Sequence, residues 1–403
     1  MSRRVNDIDN PYFTYVDIEL CNNNVNNLTG NPIPLVFNTL RDADYIQNPS
    51  QYFLGVARWS LDLRLPIIIP EINFAFNNGN YSSLIGGYQT TYSITLQIKT
   101  STNMKESQKY INFVPQHYNL KPPTAPLTNM IEVYDNRYFY IESVQYWILL
   151  VNDCFKRAWE DVRAQWLTDI GALPIADVQP FIQYNYDGNC TLLATVDYYE
   201  EVPLVNGRGQ IFFNSAMNTL FNGFTSIVVG FNNSLTPVDS TNGKNYYIQI
   251  IDTNQKTTIN SVNMPYMITE YPVVPFWSPI SSIVFQSASI PVEATNVNPV
   301  QISDTANSLG GNRIGSNNIN LSSIITDFQI DANVGTEQRQ ITYYAPEVYR
   351  WFDLNSNRPL SAISIIVMWK DKLIGGLHQM YLYPTGSGTV KLVFRRKDYY
   401  NAM

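Results

Sequence analysis

The side chains that most often carry enzyme chemistry are scarce in this sequence. There are two histidines, His117 and His378, which lie far apart in the chain, and three widely spaced cysteines. A structural zinc site needs about four His or Cys ligands, and a catalytic triad needs a base beside its nucleophile. No group of residues at a suitable spacing meets either requirement, so we predict no catalytic residues, no metal site and no cofactor.

The densest acidic cluster contains Asp197, Glu200 and Glu201. Two carboxylates that face each other across a glycosidic bond could hydrolyse it. Neighbouring residues of a strand point to opposite faces of the sheet, so Glu200 and Glu201 would not flank one bond. A solvated strand end explains the cluster better. A carbohydrate-active β-sandwich enzyme stays as a minor alternative to a protein without enzymatic activity.

A short basic cluster consists of Arg395, Arg396 and Lys397. It could contact a polyanion such as a packaged genome, or an acidic surface of a partner protein. Alternatively, charged side chains on an edge strand prevent unwanted pairing with other strands. We designate the three residues as the predicted interaction patch. Contact with nucleic acid is not expected overall, because the chain has 33 acidic and 26 basic residues.

Most of the chain that must position these residues is predicted to form β-strands. The strand segments are rich in β-branched and aromatic residues and are bounded by Asn, Gly, Pro or Ser. Between residues 92 and 99, apolar and polar side chains alternate, which predicts a strand with one buried face. The predicted strands are 12–20, 51–61, 91–99, 138–148, 190–198, 246–251, 282–292, 324–330, 340–344, 362–369 and 389–394.

The sequence predicts few helices. Apolar residues at helical spacing predict one helix over 153–170, capped by Asn152 or Asp153, and a shorter helix over 214–220. The stretch 294–320 is rich in Asn, Ser and Gly and is predicted to be a long exposed loop. Strands without regular strand–helix alternation favour an all-β sandwich or jelly roll over a parallel sheet.

The composition indicates a protein whose surface is largely covered by copies of itself or by other protein partners. Only 15% of residues are charged, while aromatic residues make up 13% and there are 44 asparagines. Interface cores are depleted in charge and enriched in aromatic residues. No secretory signal or membrane-spanning run is recognisable, and the odd number of separated cysteines fits a reducing compartment. We therefore expect a chain that assembles inside a cell and has no membrane span.

Several short phrases together resemble one family of viral proteins. They are NPSQYFLGVAR (48–58), LPIIIP (65–70), FYIESVQYW (139–147), FNS (213–215), LFNGF (220–224), WSPISSIVF (277–285), ITDF (325–328), YR (349–350), RPL (358–360), VMWKD (367–371) and VKLVFR (390–395). In combination they are similar to the penton-like or minor capsid proteins of small eukaryotic DNA viruses, the virophage, polinton-like virus and adintovirus group.

This resemblance implies a jelly-roll β-sandwich with an inserted mixed α/β region that carries one or two helices. We expect residues 1–150 and 270–403 to form the jelly roll and residues 151–269 to form the insertion. The resemblance further implies a homo-oligomeric virion protein, expected to be a pentamer, that closes the icosahedral vertices. It would fit among major capsid proteins with a double jelly-roll fold, after assembly in the host cytoplasm or nucleus.

An alternative function is that of a virion protein with a different role. The protein could attach the virion to a host receptor through exposed loops such as 294–320. Trimeric assembly and glycan binding would favour this alternative over the penton-like function.

Overall fold

The computed structural model describes the chain in several separate ranges. Most of the predicted loop over 294–320 lies outside the described residues, as do His117, Glu200 and Glu201. The described residues are 12–22, 33–62, 65–72, 88–116, 137–198, 207–229, 246–251, 256–259, 262–293, 295–296, 321–329, 340–344, 350–372 and 376–398.

The described residues are mainly β-strands, as predicted. Those in the first half of the chain are β1 Phe13–Cys21, β2 Ile33–Pro34, β3 Val36–Leu40, β4 Tyr52–Asp62, β5 Tyr88–Lys99, β6 Met104–Phe113, β7 Phe181–Tyr184 and β8 Cys190–Leu193. They continue with β9 Arg208–Asn214, β10 Ser226–Val228, β11 Tyr246–Ile250, β12 Lys256–Ile259, β13 Val262–Ile268, β14 Ile280–Gln286, β15 Thr295–Asn296 and β16 Leu321–Ser322. The remaining strands are β17 Ile324–Phe328, β18 Gln340–Tyr344, β19 Phe352–Asp353, β20 Ala362–Asp371, β21 Leu377–Gln379, β22 Tyr381–Leu382 and β23 Ser387–Arg396.

The helices lie mainly in the middle of the chain. They are α1 Val144–Asp169, α2 Ser215–Leu220 and α3 Val274–Trp277, with short 3₁₀ turns at Pro49–Gln51, Arg137–Phe139 and Val196–Tyr198. The strand predicted over 138–148 is wrong, because that segment is a 3₁₀ turn followed by the start of α1. Helix α1 begins earlier than predicted: Ser143 caps it by accepting a hydrogen bond from the Tyr146 amide.

Asn152, one of the two predicted caps, lies inside α1 and ties the helix to β7. Its Nδ2 donates to the Ile182 carbonyl and its Oδ1 accepts from the Ile182 amide, both at 2.8 Å. The predicted short helix is confirmed, since Asn214 caps α2 by accepting from the Met217 amide at 2.9 Å.

The chain divides into two compact units. The first comprises Met1–Leu65 and Pro279–Met403, and the second comprises Pro66–Ser278. The division therefore falls earlier in the chain than the predicted insertion boundary at residue 151. The reason is strand pairing: β5 pairs with both β6 and β9, so residues before 150 belong to the same sheet as residues after 207.

The first unit is a jelly-roll sandwich of two antiparallel sheets built from both halves of the chain. One sheet has the order β1-β23-β4-β18 with β19 also on β4, and the other has the order β17-β14-β20-β21 with β3 also on β20. Trp59 of β4 joins the inner faces, with its ring 5.7 Å from Phe285 and 5.3 Å from Phe328. The predicted all-β jelly-roll fold is confirmed.

The second unit packs α1 against a sheet of order β10-β11-β9-β5-β6, and also contains a smaller sheet, β12-β13-β8-β7. Trp147, Val151, Phe155 and Val162 of α1 are fully buried. Ion pairs fix the polar side of the helix. They are Lys109–Asp161 at 2.7 Å, Arg163–Asp177 at 2.6 Å and a close pair between Lys105 and Asp169.

Strand β5 has the predicted alternation but not the predicted exposure. Its apolar residues, such as Ile94 and Leu96, belong to the hydrophobic core that includes α1. Ser93 and Thr95, on the opposite face, are also fully buried. The prediction of one exposed face is therefore wrong, because alternation reports the polarity of each face and not whether other parts of the protein cover it.

Candidate interaction surface

The predicted interaction patch lies at the end of β23, in the first unit. Arg395 is opposite Phe13 on β1 and opposite Phe53 on β4. Side chains of β23 alternate: Val390, Leu392 and Phe394 are buried, while Arg395 is partly exposed. The Arg395 side chain therefore lies on the outer face of this sheet.

Two aromatic rings hold the Arg395 guanidinium. Its carbon Cζ lies 4.2 Å from the ring centre of Trp351 and 5.4 Å from that of Phe53. A guanidinium at these distances is attracted by the negative faces of the rings. The charge of Arg395 is therefore held on the outer face by aromatic residues that are remote from it in sequence.

The other two cations of the patch also have contacts within the chain. Lys397 Nζ lies 2.9 Å from Asp353 Oδ1 and 5.3 Å from the ring centre of Phe53. Arg396 pairs closely with Asp398, and its Cζ lies 5.2 Å from the ring centre of Tyr12. The three predicted residues are thus brought to one end of the sheet, although they do not share one face of it.

A second row of charges crosses the same sheet. On β1, Asp17 Oδ2 lies 3.1 Å from Lys391 Nζ of β23, and Asp17 Oδ1 lies 3.6 Å from Arg58 Nη2 of β4. Lys391 also lies 5.4 Å from the ring centre of Tyr15, which is 55% exposed. Opposite charges on adjacent strands stabilise the register by a few tenths of a kcal/mol to about 1 kcal/mol.

We call this surface the outer sheet face. Its charged members include the cations Arg58, Lys391, Arg395 and Lys397 and the carboxylates Asp17, Glu19 and Asp353. The surface offers cations together with aromatic rings, which suits contact with an acidic protein surface. The sequence could not place Phe53 and Trp351 in the patch, because only the pairing of β23 with β4 brings them there.

Asp197 has a structural contact in the second unit. Its Oδ2 accepts a hydrogen bond from the Ala176 amide at 3.0 Å. It therefore holds the segment that follows α1. Its two predicted companions, Glu200 and Glu201, lie outside the described residues, so the proposed pair of carboxylates stays a prediction.

His378 and Asp371 are neighbours inside the first unit. His378 Nε2 lies 3.9 Å from Asp371 Oδ2, and the carboxylate side chain is fully buried. The imidazole also stacks on Trp369, with ring centres 4.2 Å apart. Stacking on Trp369 gives this histidine a packing role in the sandwich.

Two kinds of feature are missing from the described part of the chain. No group of three or more His, Cys, Asp or Glu residues there is arranged to hold a metal ion. None of its helices combines the length and the apolar character that a membrane crossing requires.

Comparison with known proteins decides the family. A family model described as Sputnik minor capsid protein V18/19 matches residues 14–396. The chain belongs to this minor capsid protein family. The match spans both units, so the resemblance seen in the short sequence phrases is confirmed, and the protein has a structural role in the viral capsid.

Individual relatives agree with this assignment. The "Uncharacterized protein V18" of Sputnik virophage is 29% identical over 138 residues, which are 32% of this chain and 74% of the relative. A chain in the 3.5 Å cryo-EM structure of the Sputnik virophage aligns with a TM-score of 0.71 and 22% identity, covering 96% of this chain and 99% of that one. The mavirus penton protein aligns with a TM-score of 0.55 and 13% identity, covering 95% and 99%.

Proposed function

We propose that this minor capsid protein is a penton-like capsomer that closes the icosahedral vertices of a DNA virus capsid. It acts as a homo-oligomer, a pentamer, and has no enzymatic activity. Its partners are further copies of itself and a major capsid protein with a double jelly-roll fold. Assembly takes place in the host cytoplasm or nucleus.

The match to the minor capsid family over residues 14–396 is the observation that carries this proposal. The fold likeness to a protein named as the mavirus penton supports the vertex position. The low charged fraction of 15% supports a chain that is largely covered after assembly. A ring of copies is self-limiting, because each copy offers two different surfaces and the last copy meets the first.

The outer sheet face gives this proposal a partner-facing surface. Arg395 and Lys397 lie at its end, with Arg396 between them in the chain, and the side chain of Lys397 is 34% exposed. Because the neighbouring aromatic rings already fix these side chains, little conformational freedom is lost when a partner binds. We assign the three residues to contact with an acidic surface of another capsid component.

Attachment to a host receptor stays the second candidate, with the stretch 294–320 as the binding loop. Deleting this loop separates the two functions. Assembly survives the deletion under both, and attachment of particles to host cells fails only if the loop binds the receptor. The enzyme alternative is tested by the double substitution Asp197→Asn and Glu201→Gln, which removes any hydrolysis that these acids support.

The mass of the purified protein in solution tests the main proposal. Light scattering of the full chain is expected to give a mass of several copies, and purified virus particles are expected to contain the chain. A strictly monomeric protein that is also absent from virus particles would refute the penton-like function.

A further inference from the structure

A rigid turn in the second unit presents an exposed aromatic ring. The turn joins β7 to β8, and the Asn185 amide donates to the Asn189 carbonyl at 2.8 Å. Gly188 has a φ of +87°, which a glycine adopts without strain. Its carbonyl accepts from the Val273 amide at 3.0 Å. Tyr186, at the tip of this fixed turn, is 82% exposed.

Two more aromatic rings lie beside the turn. Tyr271 and Phe276 contact each other edge to face at 6.0 Å, and Phe276 is 70% exposed. A Cβ on Gly188 would lie 3.1 Å from Cβ of Pro272, so the turn and the 271–276 segment are in contact. Large rings exposed on a rigid support are the residues that dominate binding energy in protein interfaces.

Carboxylates border these rings. Asp187 follows Tyr186, and Glu270, which is exposed, precedes Tyr271. A hydrogen bond from the Asn189 side chain holds the pKa of Asp187 below its usual value. The backbone amide of Asn189, which donates to Asp187 Oδ1 at 3.0 Å, adds to this effect. We call the surface formed by Tyr186, Asp187, Glu270, Tyr271 and Phe276 the aromatic tip.

A surface of opposite charge lies elsewhere in the same unit. Lys99 at the end of β5 is directly opposite Arg208 of β9, and on its other side it is opposite Met104 of β6. Like charges directly opposite one another destabilise a sheet. In the described part of the chain no ion pair holds either cation. Both side chains are half-buried, with Arg208 Nε shielded from solvent, and Met104 is 52% exposed. We call these three residues the cationic strand end.

The two surfaces are connected to β5 at different positions, the aromatic tip in the middle of the strand and the cationic strand end at Lys99. Asn214 Oδ1 accepts a hydrogen bond from the Ser93 backbone amide at 3.1 Å. In helix α2, which follows Asn214, the Leu220 carbonyl accepts a hydrogen bond from the Trp277 indole at 2.7 Å. These contacts tie the aromatic tip to Ser93, in the middle of β5. Ser93 and Lys99 are separated by roughly 20 Å at about 3.3 Å per residue.

We infer that the aromatic tip of one copy binds the cationic strand end of the next copy. The charges are complementary, with two carboxylates on one surface and two cations on the other. Arg208 and Lys99 also gain cation–π contacts with the exposed rings. The contact joins unlike surfaces, as a closed ring requires. This inference rests on the proposed function, because it assigns one contact of the proposed ring.

Charge reversal in the full chain tests the contact. One variant carries Asp187→Lys and Glu270→Lys, a second carries Lys99→Glu and Arg208→Glu, and a third carries all four changes. Each double variant is expected to weaken ring assembly about tenfold or more, because like charges then face each other. The fourfold variant restores the attraction and is expected to assemble again. Lys156→Glu, on the exposed side of α1, is the matched control and is expected to assemble normally.

A second pair of substitutions changes no charge, so a loss of assembly in these variants cannot come from a charge change that disturbs folding. Tyr186→Ala and Phe276→Ala remove exposed rings, so the thermal unfolding midpoint should stay unchanged while assembly weakens about tenfold or more. If the wild-type protein forms rings and every variant still forms them, the proposed contact is wrong and the proposed function stands. Double variants that lose the ring without rescue in the fourfold variant would also overturn it. A monomeric wild-type chain would contradict both proposals.

Discussion

The Trp351 indole covers Gly55 on the outer face of the first sheet. A Cβ added to Gly55 would lie 3.2 Å from Cζ3 of Trp351 and 3.3 Å from Cγ1 of Val393. The same indole stacks on the Arg395 guanidinium. The missing side chain of Gly55 therefore leaves room for the indole that contacts Arg395, and this links a glycine of β4 to the predicted interaction patch.

Replacing Gly55 by valine is expected to lower the free energy of unfolding by about 1–3 kcal/mol, because the new side chain overlaps the indole. Chemical denaturation of the purified protein measures this change. Ser60→Val, on the outer side of the same strand, is the matched control and should have a much smaller effect. Trp351→Ala in the Gly55→Val background should recover part of the loss. Equal stability of the two valine variants would contradict the packing described.

The strands of the jelly roll could be predicted because their side chains alternate locally. The segments around β1, β4, β20 and β23 each have β-branched and aromatic residues with turn residues on both sides. The contact that joins the sheets could not be predicted in this way. Trp59 meets Phe285 and Phe328, more than 200 residues later in the chain, and no local pattern encodes that distance.

Local composition explains why the sequence does not predict the start of α1. Residues 138–141 read Tyr-Phe-Tyr-Ile, which favours a strand, and the helical spacing of Val144, Trp147 and Val151 begins immediately afterwards. Similarly, the sequence located the cations of the interaction patch but not the rings that hold them. Trp351 reaches Arg395 only because β19, which follows Trp351 in the chain, pairs with β4, and β4 also pairs with β23.

The thiols are expected to differ sharply in reactivity. Burial raises the pKa of the Cys154 thiol to about 12 and also raises the pKa of Cys190, whereas Cys21 is exposed. A thiol reagent should therefore label one cysteine in the folded protein and three after unfolding. Rapid labelling of all three thiols in the folded state would contradict this burial.

The same thiols make stability depend on alkaline pH. The folded-state pKa of Cys154 lies above the usual value of 9.0, so unfolded chains lose this proton first as the pH rises. The stabilising contribution is complete below about pH 9 and is lost as the pH rises towards 12. In Cys154→Ala this part of the alkaline loss should disappear from unfolding curves measured at several pH values.

Asp161 makes the attachment of α1 depend on acidic pH. Hydrogen bonds from Lys109 and then from Ser107 outweigh the effect of burial and lower the pKa of this carboxyl. Its contribution is therefore present above the usual carboxyl pKa of about 4 and is lost as the pH falls further. Asp161→Asn should make the unfolding free energy less dependent on acidic pH. Glu160→Gln, at an exposed neighbouring position, should leave the acid dependence unchanged.

Neutralising the interaction patch distinguishes its two possible roles, binding of a partner protein and prevention of unwanted strand pairing at the end of the sheet. With Arg395, Arg396 and Lys397 all replaced by glutamine, we expect less of the protein to enter virus particles. The fold should survive, because exposed ion pairs contribute about 0–1 kcal/mol each. Arg350→Gln removes another exposed cation of the first unit and is the control. Normal incorporation of the triple variant would show that the three cations only protect the end of the sheet.

Electron microscopy of the isolated oligomer decides whether the protein is a penton-like capsomer. We expect closed rings of copies with five-fold symmetry, formed by the full chain without other viral proteins. Images that show single copies, or closed assemblies with three-fold symmetry, would contradict the assignment as a penton-like capsomer.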